Sequence, residues 1–232
     1  MLDWLLRPLS GASYHSIAPW AVWHARCMVA AWALLLPLGV MAARFYKVTP
    51  RQPWPQALDN KAWWHAHRGL QWAGIALMSL GAALAWQQGA GATLLARLHG
   101  WAGWALVAAG WLQIASGFAR GSKGGPGEQT PRGDHYHMTP RRLAFERFHK
   151  ALGWAALLAA VALITLGLGL VDAPRWMALL LGGWWLVLAA AFTQLQRRGR
   201  CIDTYQAIWG PGLHHPGNRI APIGWGVRRP RG

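Results

Sequence analysis

The stretch LHGWAGWALVAAGWLQIASGF, Leu98 to Phe118, determines how the fold is interpreted. It is apolar almost throughout and carries no charge, and its 21 residues can cross a hydrocarbon core of ~30 Å as a helix. One titratable side chain, His99, lies near its start, and Gly103 follows four residues later. A histidine at membrane depth costs free energy unless it is bonded. His99 is therefore either part of a functional site or an interfacial side chain that reaches the headgroups.

The composition of the whole chain indicates an integral membrane protein. Of its 232 residues, 54% are hydrophobic and 13% are charged, against ~25% charged in soluble domains. The hydrophobic residues fall in long blocks, and the 18 Trp suit membrane interfaces. The formal charge of +16 resides between these blocks, as it does in membrane loops. We therefore predict a membrane partner and no nucleic-acid partner.

The apolar blocks predict an all-α bundle of five transmembrane helices. We place these helices at about 18–43, 62–86, 93–118, 145–171 and 176–195. The domain prediction is a lead at 1–17 that can lie at the interface, a transmembrane domain at 18–195 and a basic tail at 196–232. The long loop at 119–144 is rich in Gly and Pro, which predicts little regular structure.

The basic residues predict the orientation of this bundle. With five spans, the side that holds the N-terminus carries few of the 23 Lys and Arg, namely Arg7, Arg26, Arg97 and Arg175. All the others lie on the opposite side. Because basic residues accumulate in cytoplasmic loops, we expect the N-terminus outside and the C-terminus in the cytoplasm.

Four of the five predicted spans carry a histidine about five residues from their N-terminal end: His24, His67, His99 and His149. Successive helices run antiparallel, so His24 and His99 would lie near the outer face and the other two near the cytoplasmic face. Two imidazoles are too few for zinc, but they form a good axial pair for haem iron, because the porphyrin supplies four more ligands. We therefore predict two haem b groups bound by these four metal ligands in a four-helix core. Their depths place the two layers roughly 15 Å apart.

Glycines near these histidines would leave room for a flat cofactor. Gly103 and Gly153 each follow a predicted ligand by four residues and so lie on the same helix face, one turn deeper. Other glycines reach the depth of one pair or the other: Gly39, Gly81, Gly117, Gly167 and Gly169.

The remaining histidines are not predicted to be ligands. His65 and His67 are about 200° apart around their helix, so only one can face a given haem, and His67 lies deeper. We expect the histidines in loops to be solvated or locally hydrogen-bonded: His15, His135, His137, His214 and His215.

At these residues the chain resembles the cytochrome b561 family, especially the five-helix core that elsewhere follows an extracellular DOMON domain. The matching stretches are WHARCMVAAWALLLPLGVMAARFYK, WWHAHRGLQ, LHGWAGW with LQIASGF, and FHKALGW, spread over roughly 20–171. The resemblance implies that His24 pairs with His99 and His67 with His149. It also implies transmembrane electron transfer, with ascorbate as cytoplasmic donor and ferric iron or monodehydroascorbate as outer acceptor in eukaryotic members.

The chain shows neither a DOMON domain nor the six-helix layout of the ascorbate-using members, so we assign no substrate. A five-helix protein of the bacterial type is expected in the bacterial inner (plasma) membrane. Arg68 and Lys150, each next to a predicted ligand, are the predicted contacts of the haem propionates.

Three functional hypotheses follow. The first is a di-haem b-type cytochrome, an oxidoreductase of the ferric-reductase-like kind, linking a cytoplasmic or quinol donor to an outer acceptor, each a small molecule or a protein. The second is a haem-b membrane anchor that exchanges electrons between quinone and a partner subunit, and a homodimer is also open. The third is a haem-free scaffold or transporter, although the spans show neither the internal repeat nor the mid-membrane acid of many transporters.

Overall fold

The computed structural model describes residues 2–13, 16–88 and 91–230, so the expectation for His15 lies outside the described residues. Within these ranges the chain is helical and forms no β-strand. The α-helices are α1 Leu2–Leu6, α2 Pro19–Val29, α3 Leu36–Phe45, α4 Ala62–Trp86, α5 Leu94–Phe118, α6 Asp134–His137, α7 Pro140–Leu170, α8 Arg175–Arg197 and α9 Thr204–Trp209. A π-helical stretch, Ala30–Leu35, joins α2 to α3, and a 3₁₀ turn spans Pro216–Arg219. The predicted all-α fold class is confirmed.

Four helical runs among the described residues are long and apolar enough to cross a membrane. They are Pro19–Phe45, Ala62–Trp86, Pro140–Leu170 and Arg175–Arg197. The prediction of a multi-pass helical membrane bundle is therefore confirmed. Helix α5 has 25 residues and a single charge, Arg97, but it is not among these four runs. A fifth span at α5 stays a prediction, and we treat α5 as a helix of the bundle.

The first long helix is irregular one turn before Pro37. Proline lacks an N–H group, so the carbonyl of Ala33, four residues earlier, loses its usual helical donor. The π-helical stretch covers this turn, and the indole Nε1 of Trp184 in α8 donates to the Ala33 oxygen at 2.7 Å. The helix defect is therefore compensated by a hydrogen bond from another helix.

The chain divides into two compact units, and we name them unit 1 and unit 2. Unit 1 comprises Met1–Pro37, Leu70–Trp111 and Ala155–Ala190. Unit 2 comprises Leu38–Gly69, Leu112–Trp154 and Ala191–Gly232.

Small residues allow the helices of unit 1 to approach closely. A Cβ atom on Gly110 would lie 2.9 Å from the sulfur of Met78, and one on Gly74 would lie 2.8 Å from the side chain of Leu36. Such contacts are typical of helix packing in membranes, where small residues permit close backbone approach. The lead is joined to the α7–α8 turn of this unit, since the Ser10 hydroxyl donates to Asp172 at 2.5 Å.

In unit 2 the residues after α8 fold into a packed segment, which we name the C-terminal segment, 201–229. Tyr205, Ile208 and Trp209 of α9 are buried together with Met138. The carboxylate of Asp203 accepts from Arg229 Nε at 2.5 Å and from the backbone N–H of Tyr205 at 3.4 Å, which caps α9. This part of the predicted tail is therefore a folded element with its own apolar cluster.

The 119–144 region contains more structure than its Gly and Pro content predicts. The carboxylate of Asp134 accepts from the backbone and hydroxyl of Ser122 at 2.9 and 3.0 Å and from the Thr139 hydroxyl at 2.8 Å. The expectation that His135 is solvated is wrong: it is 1% exposed, and its ring contacts those of Tyr205 and Trp209. The partners that bury it lie about 70 residues further along the chain, beyond the reach of local sequence patterns.

Candidate functional site

Two of the four predicted ligands come together in unit 1. His24 is on α2 and His99 on α5, and their ring centroids are 6.3 Å apart with the planes at 75°. Nδ1 of His24 lies 2.8 Å from the carbonyl oxygen of Gly81. A carbonyl oxygen only accepts hydrogen bonds, so the proton of His24 is on Nδ1 and the lone pair is on Nε2.

His99 differs from His24 in its surroundings. Its Nδ1 is buried and has no hydrogen-bond partner among the described residues. Gly167 of α7 lies against the ring: a Cβ atom there would be 3.2 Å from His99 Cε1. The absent side chain of Gly167 therefore leaves the space that the His99 ring occupies.

The other two predicted ligands come together in unit 2. The rings of His67 on α4 and His149 on α7 have centroids 6.5 Å apart and planes at 73°. Nδ1 of His67 lies 3.0 Å from the carbonyl oxygen of Gly39, which again leaves Nε2 with the lone pair. His65 is exposed, whereas His67 is the histidine that contacts His149, as the helical geometry predicted.

Two polar side chains of α5 hold His149. Ser116 Oγ lies 2.8 Å from Nδ1 of His149, and Gln113 Nε2 donates to the backbone oxygen of His149 at 2.8 Å. Sequence reasoning missed both residues. The signal was present, because an uncharged polar side chain inside an apolar helix is expensive unless it has a bonded partner.

The donor set of each pair fits a haem. Two imidazoles on opposite sides of one metal, with metal–nitrogen bonds of about 2.0 Å, have ring centroids roughly 6 to 6.5 Å apart. Both observed separations, 6.3 and 6.5 Å, lie in that range. No group of three or more His, Cys, Asp or Glu that could hold a metal ion occurs in the described ranges. Two-ligand sites of this kind suit a metal whose remaining ligands come from a porphyrin.

The glycines that were predicted to leave room for a cofactor differ in how much space surrounds their Cβ positions. No atom lies within 4 Å of the Cβ position of Gly103, Gly117 or Gly169, so these surfaces are open. Gly153 is not open in this way, because a Cβ atom there would be 3.3 Å from Gln113 Nε2. Gly153 therefore accommodates the side chain that bonds His149.

The two predicted propionate contacts have different environments. The guanidinium of Arg68 lies 5.7 Å from the ring of Trp64, which is a neighbour of His67. Lys150 Nζ donates to Glu146 at 2.6 Å and to the Ile223 carbonyl at 2.9 Å. An ammonium group has three donors, so one remains available on Lys150.

A buried ionic cluster lies one turn from His149. Glu146 is 3% exposed, and its carboxylate accepts from Arg142 at 3.0 and 3.1 Å and from Lys150 at 2.6 Å. Nε2 of the buried His135 is 3.9 Å from the same carboxylate. Sequence reasoning missed this acid, which lies at the very start of the predicted fourth span, 145–171.

Lys47, just beyond α3, is a second buried charge in unit 2. It is 8% exposed and donates to the carbonyl oxygen of Ile202 at 3.1 Å. Burial, with a smaller contribution from the charge of Lys150, lowers its pKa to about 8, whereas Cys201 and Asp203 oppose the shift. Lys47 and Lys150 are therefore two cations of unit 2 that are close enough to repel each other.

Comparison with known proteins identifies the family of this chain. The family model described as eukaryotic cytochrome b561 matches residues 23–172, well over half of the 232 residues, and all four paired histidines lie inside the match. The chain belongs to the cytochrome b561 family. No curated protein and no solved structure matches it. The protein is thus a multi-pass membrane cytochrome that binds haem b and transfers electrons between a donor and an acceptor.

Proposed function

We propose that the chain binds two haem b groups, one held by His24 and His99 and the other by His67 and His149, and carries electrons across the membrane. The observation that carries the proposal is the matched geometry of the two pairs. Each pair comes from two different helices, and the ring centroids are 6.3 Å apart in one pair and 6.5 Å in the other. Each pair also lies wholly within one compact unit.

Neighbouring residues hold the histidine side chains in the tautomer that can bind a metal. Hydrogen bonds from Nδ1 of His24, His67 and His149 set the tautomer that leaves Nε2 free to bind a metal. The apolar helices around them exclude water, which holds the rings in a low-dielectric surrounding. When bound, haem supplies an iron centre that accepts and releases one electron at a time.

The direction and the partners belong to the same proposal. The distribution of Lys and Arg supports an N-terminus outside and a C-terminus in the cytoplasm of a bacterial inner membrane. Arg68 and Lys150 are then available at the cytoplasmic side for the propionates of the haem held by His67 and His149. The donor is cytoplasmic or a membrane quinol, and the acceptor is on the outer side.

A count of haems in single-histidine variants tests this proposal. Purified wild-type protein should contain two haems per chain and show a b-type reduced-minus-oxidised spectrum. His99→Ala and His149→Ala should each retain one haem, whereas His65→Ala, which removes an exposed histidine next to a proposed ligand, should retain both. One haem in the wild type, or loss of a haem in His65→Ala, would contradict the assignment. A colourless protein would support the haem-free scaffold or transporter.

A second candidate function, electron exchange with membrane quinone, is supported by a cavity in unit 1. The cavity has a volume of ≈ 320 Å³ and is lined by Trp86, Trp101, Trp104 and Arg97, with Gly100 next to His99. Aromatic walls with few polar groups are typical of sites for flat apolar ligands. A soluble quinol analogue should then reduce the haems, and Trp104→Ala should slow that reduction but leave reduction by dithionite unchanged. Equal rates in the variant and the wild type would exclude this site.

A further inference from the structure

We infer that Ser116 and Gln113 position His149 and set how strongly its ring donates electrons to a metal. The inference rests on the proposed function, because it takes His149 as a haem ligand. It concerns one turn of α5, residues 113–116, that bonds to one turn of α7, residues 149–153, within unit 2.

The hydrogen bonds of Ser116 determine where the proton of His149 lies. The Ser116 hydroxyl has a single proton, which it donates to the backbone oxygen of Gln113 at 2.8 Å. The hydroxyl oxygen can then only accept from His149, whose Nδ1 is 2.8 Å away. His149 therefore carries its proton on Nδ1, and the lone pair on Nε2 is free to bind a metal.

The side chain of Gln113 provides a second point of attachment. Its Nε2 donates to the backbone oxygen of His149 at 2.8 Å. The glycine at position 153 leaves room for this contact, because a Cβ atom there would be 3.3 Å from the amide nitrogen. The ring and the backbone of His149 are thus both held by α5.

His149 is unlike the other three histidines in this respect. His24 and His67 are bonded to the backbone carbonyls of Gly81 and Gly39, which no side-chain substitution at those positions deletes. Nδ1 of His99 has no partner among the described residues. Among the four, His149 is the one whose Nδ1 bonds a side chain in the part of the chain that the structure describes.

This bond should affect the redox balance of one site. An acceptor at Nδ1–H makes the imidazole a more basic ligand, which favours the oxidised state of the metal. The Ser116 hydroxyl is a stronger acceptor because it donates its own proton onward to Gln113. Loss of the hydroxyl should therefore move the midpoint potential to a more positive value. It should also weaken haem retention, typically by about 10- to 100-fold for a partner that orients a ligand.

A redox titration in a single-haem background tests the inference. His99→Ala leaves the haem held by His67 and His149 as the one that is titrated. In this background Ser116→Ala should shift the midpoint potential to a more positive value, and Ser116→Thr, which keeps the hydroxyl, should restore it. Ser79→Ala is the matched control, because the buried Ser79 hydroxyl lacks a hydrogen-bond partner among the described residues. Gly153→Ala should give a smaller shift in the same direction as Ser116→Ala, because it displaces Gln113.

The outcomes separate the inference from the proposed function. An unchanged potential in Ser116→Ala, or an equal shift in Ser79→Ala, overturns the positioning role even though His149→Ala still loses one haem. If His149→Ala keeps both haems, the proposed function fails first. In the His149→Ala background, Ser116→Ala should leave the remaining haem unchanged, and a shift there would also overturn the inference.

Discussion

Acidification should loosen the C-terminal segment through His135. This side chain is 1% exposed, and its ring lies 5.7 Å from that of Tyr205 and 6.4 Å from that of Trp209. Burial, with a smaller contribution from the charge of Arg142, lowers its pKa to about 3, although Glu146 opposes the shift. The histidine is therefore neutral in the folded protein at every physiological pH.

The sign and size of the effect follow from the two pKa values. The unfolded chain binds the proton near pH 6.5 and the folded protein near pH 3, so the unfolded state holds more protons between them. The stabilising contribution is complete above pH 6.5 and falls by about 1.4 kcal/mol for each pH unit below it. At pH 5 the loss is about 2 kcal/mol, which raises the population of the opened segment roughly 30-fold.

Hydrogen exchange of α9 measures this opening. After correction for the intrinsic pH dependence of exchange, the protection of Thr204–Trp209 should fall between pH 7 and pH 5. In His135→Phe, which keeps a ring of similar size and cannot bind a proton, the fall should disappear. His137→Gln is the matched control: His137 is in the same turn but exposed, so its replacement should leave the fall intact. The reasoning is refuted if His135→Phe shows the same pH dependence as the wild type.

Three further substitutions have defined expectations. Lys47→Met should be more stable than the wild type at pH 7, because burial lowers the lysine pKa from 10.5 to about 8 in the folded protein. As the pH rises towards 10.5 the folded wild type releases this proton before the unfolded chain does, so the advantage of the variant should shrink by about 3 kcal/mol. Thermal unfolding at several pH values measures this change. Asp203→Ala should cost about 3 kcal/mol and accelerate proteolysis of the C-terminal segment, because it leaves a part-buried arginine without its carboxylate. Gly167→Ala should lower the haem content, because the new methyl group would be 3.2 Å from the His99 ring, whereas Gly169→Ala, with no atom within 4 Å, should not. An equal haem-to-protein ratio in these two variants would contradict that expectation.

The helices and the two histidine pairs were accessible from the sequence because both depend on local patterns. Apolar length located the second span at 62–86, which matches α4, Ala62–Trp86. Depth along antiparallel helices placed His24 with His99 and His67 with His149, and the structure brings the same pairs together. Their role as haem ligands stays a prediction.

The C-terminal segment was not accessible in this way. Its sequence is basic and rich in Gly and Pro, and its apolar residues form no long periodic run. Tyr205 donates its hydroxyl proton to the carbonyl oxygen of Tyr136 at 2.8 Å, and Trp54 donates to the carbonyl oxygen of Gln206 at 3.4 Å. The burial of this segment is specified by contacts with residues far away in the chain, which no local period reveals.

The role of the side chains that hold His149 could be predicted from the sequence only in part. Gln113 and Ser116 are visible as polar residues inside an apolar helix. The helix face on which they lie could be read from the sequence, but the neighbour on that face could not. The approach of α7 at Gly153 supplies that information.

The hydrogen bond between Trp184 and the Ala33 carbonyl predicts which residues should vary together among related sequences. The carbonyl of Ala33 is available to Trp184 because Pro37 cannot bond it. A chain with another residue at position 37 would regain its own helical bond, and the indole would lose its acceptor. A chain without Trp184 would leave the Ala33 oxygen unpaired in the membrane interior. Positions 37 and 184 should therefore change together, because the proline in the first span and the indole in α8 depend on the same carbonyl oxygen.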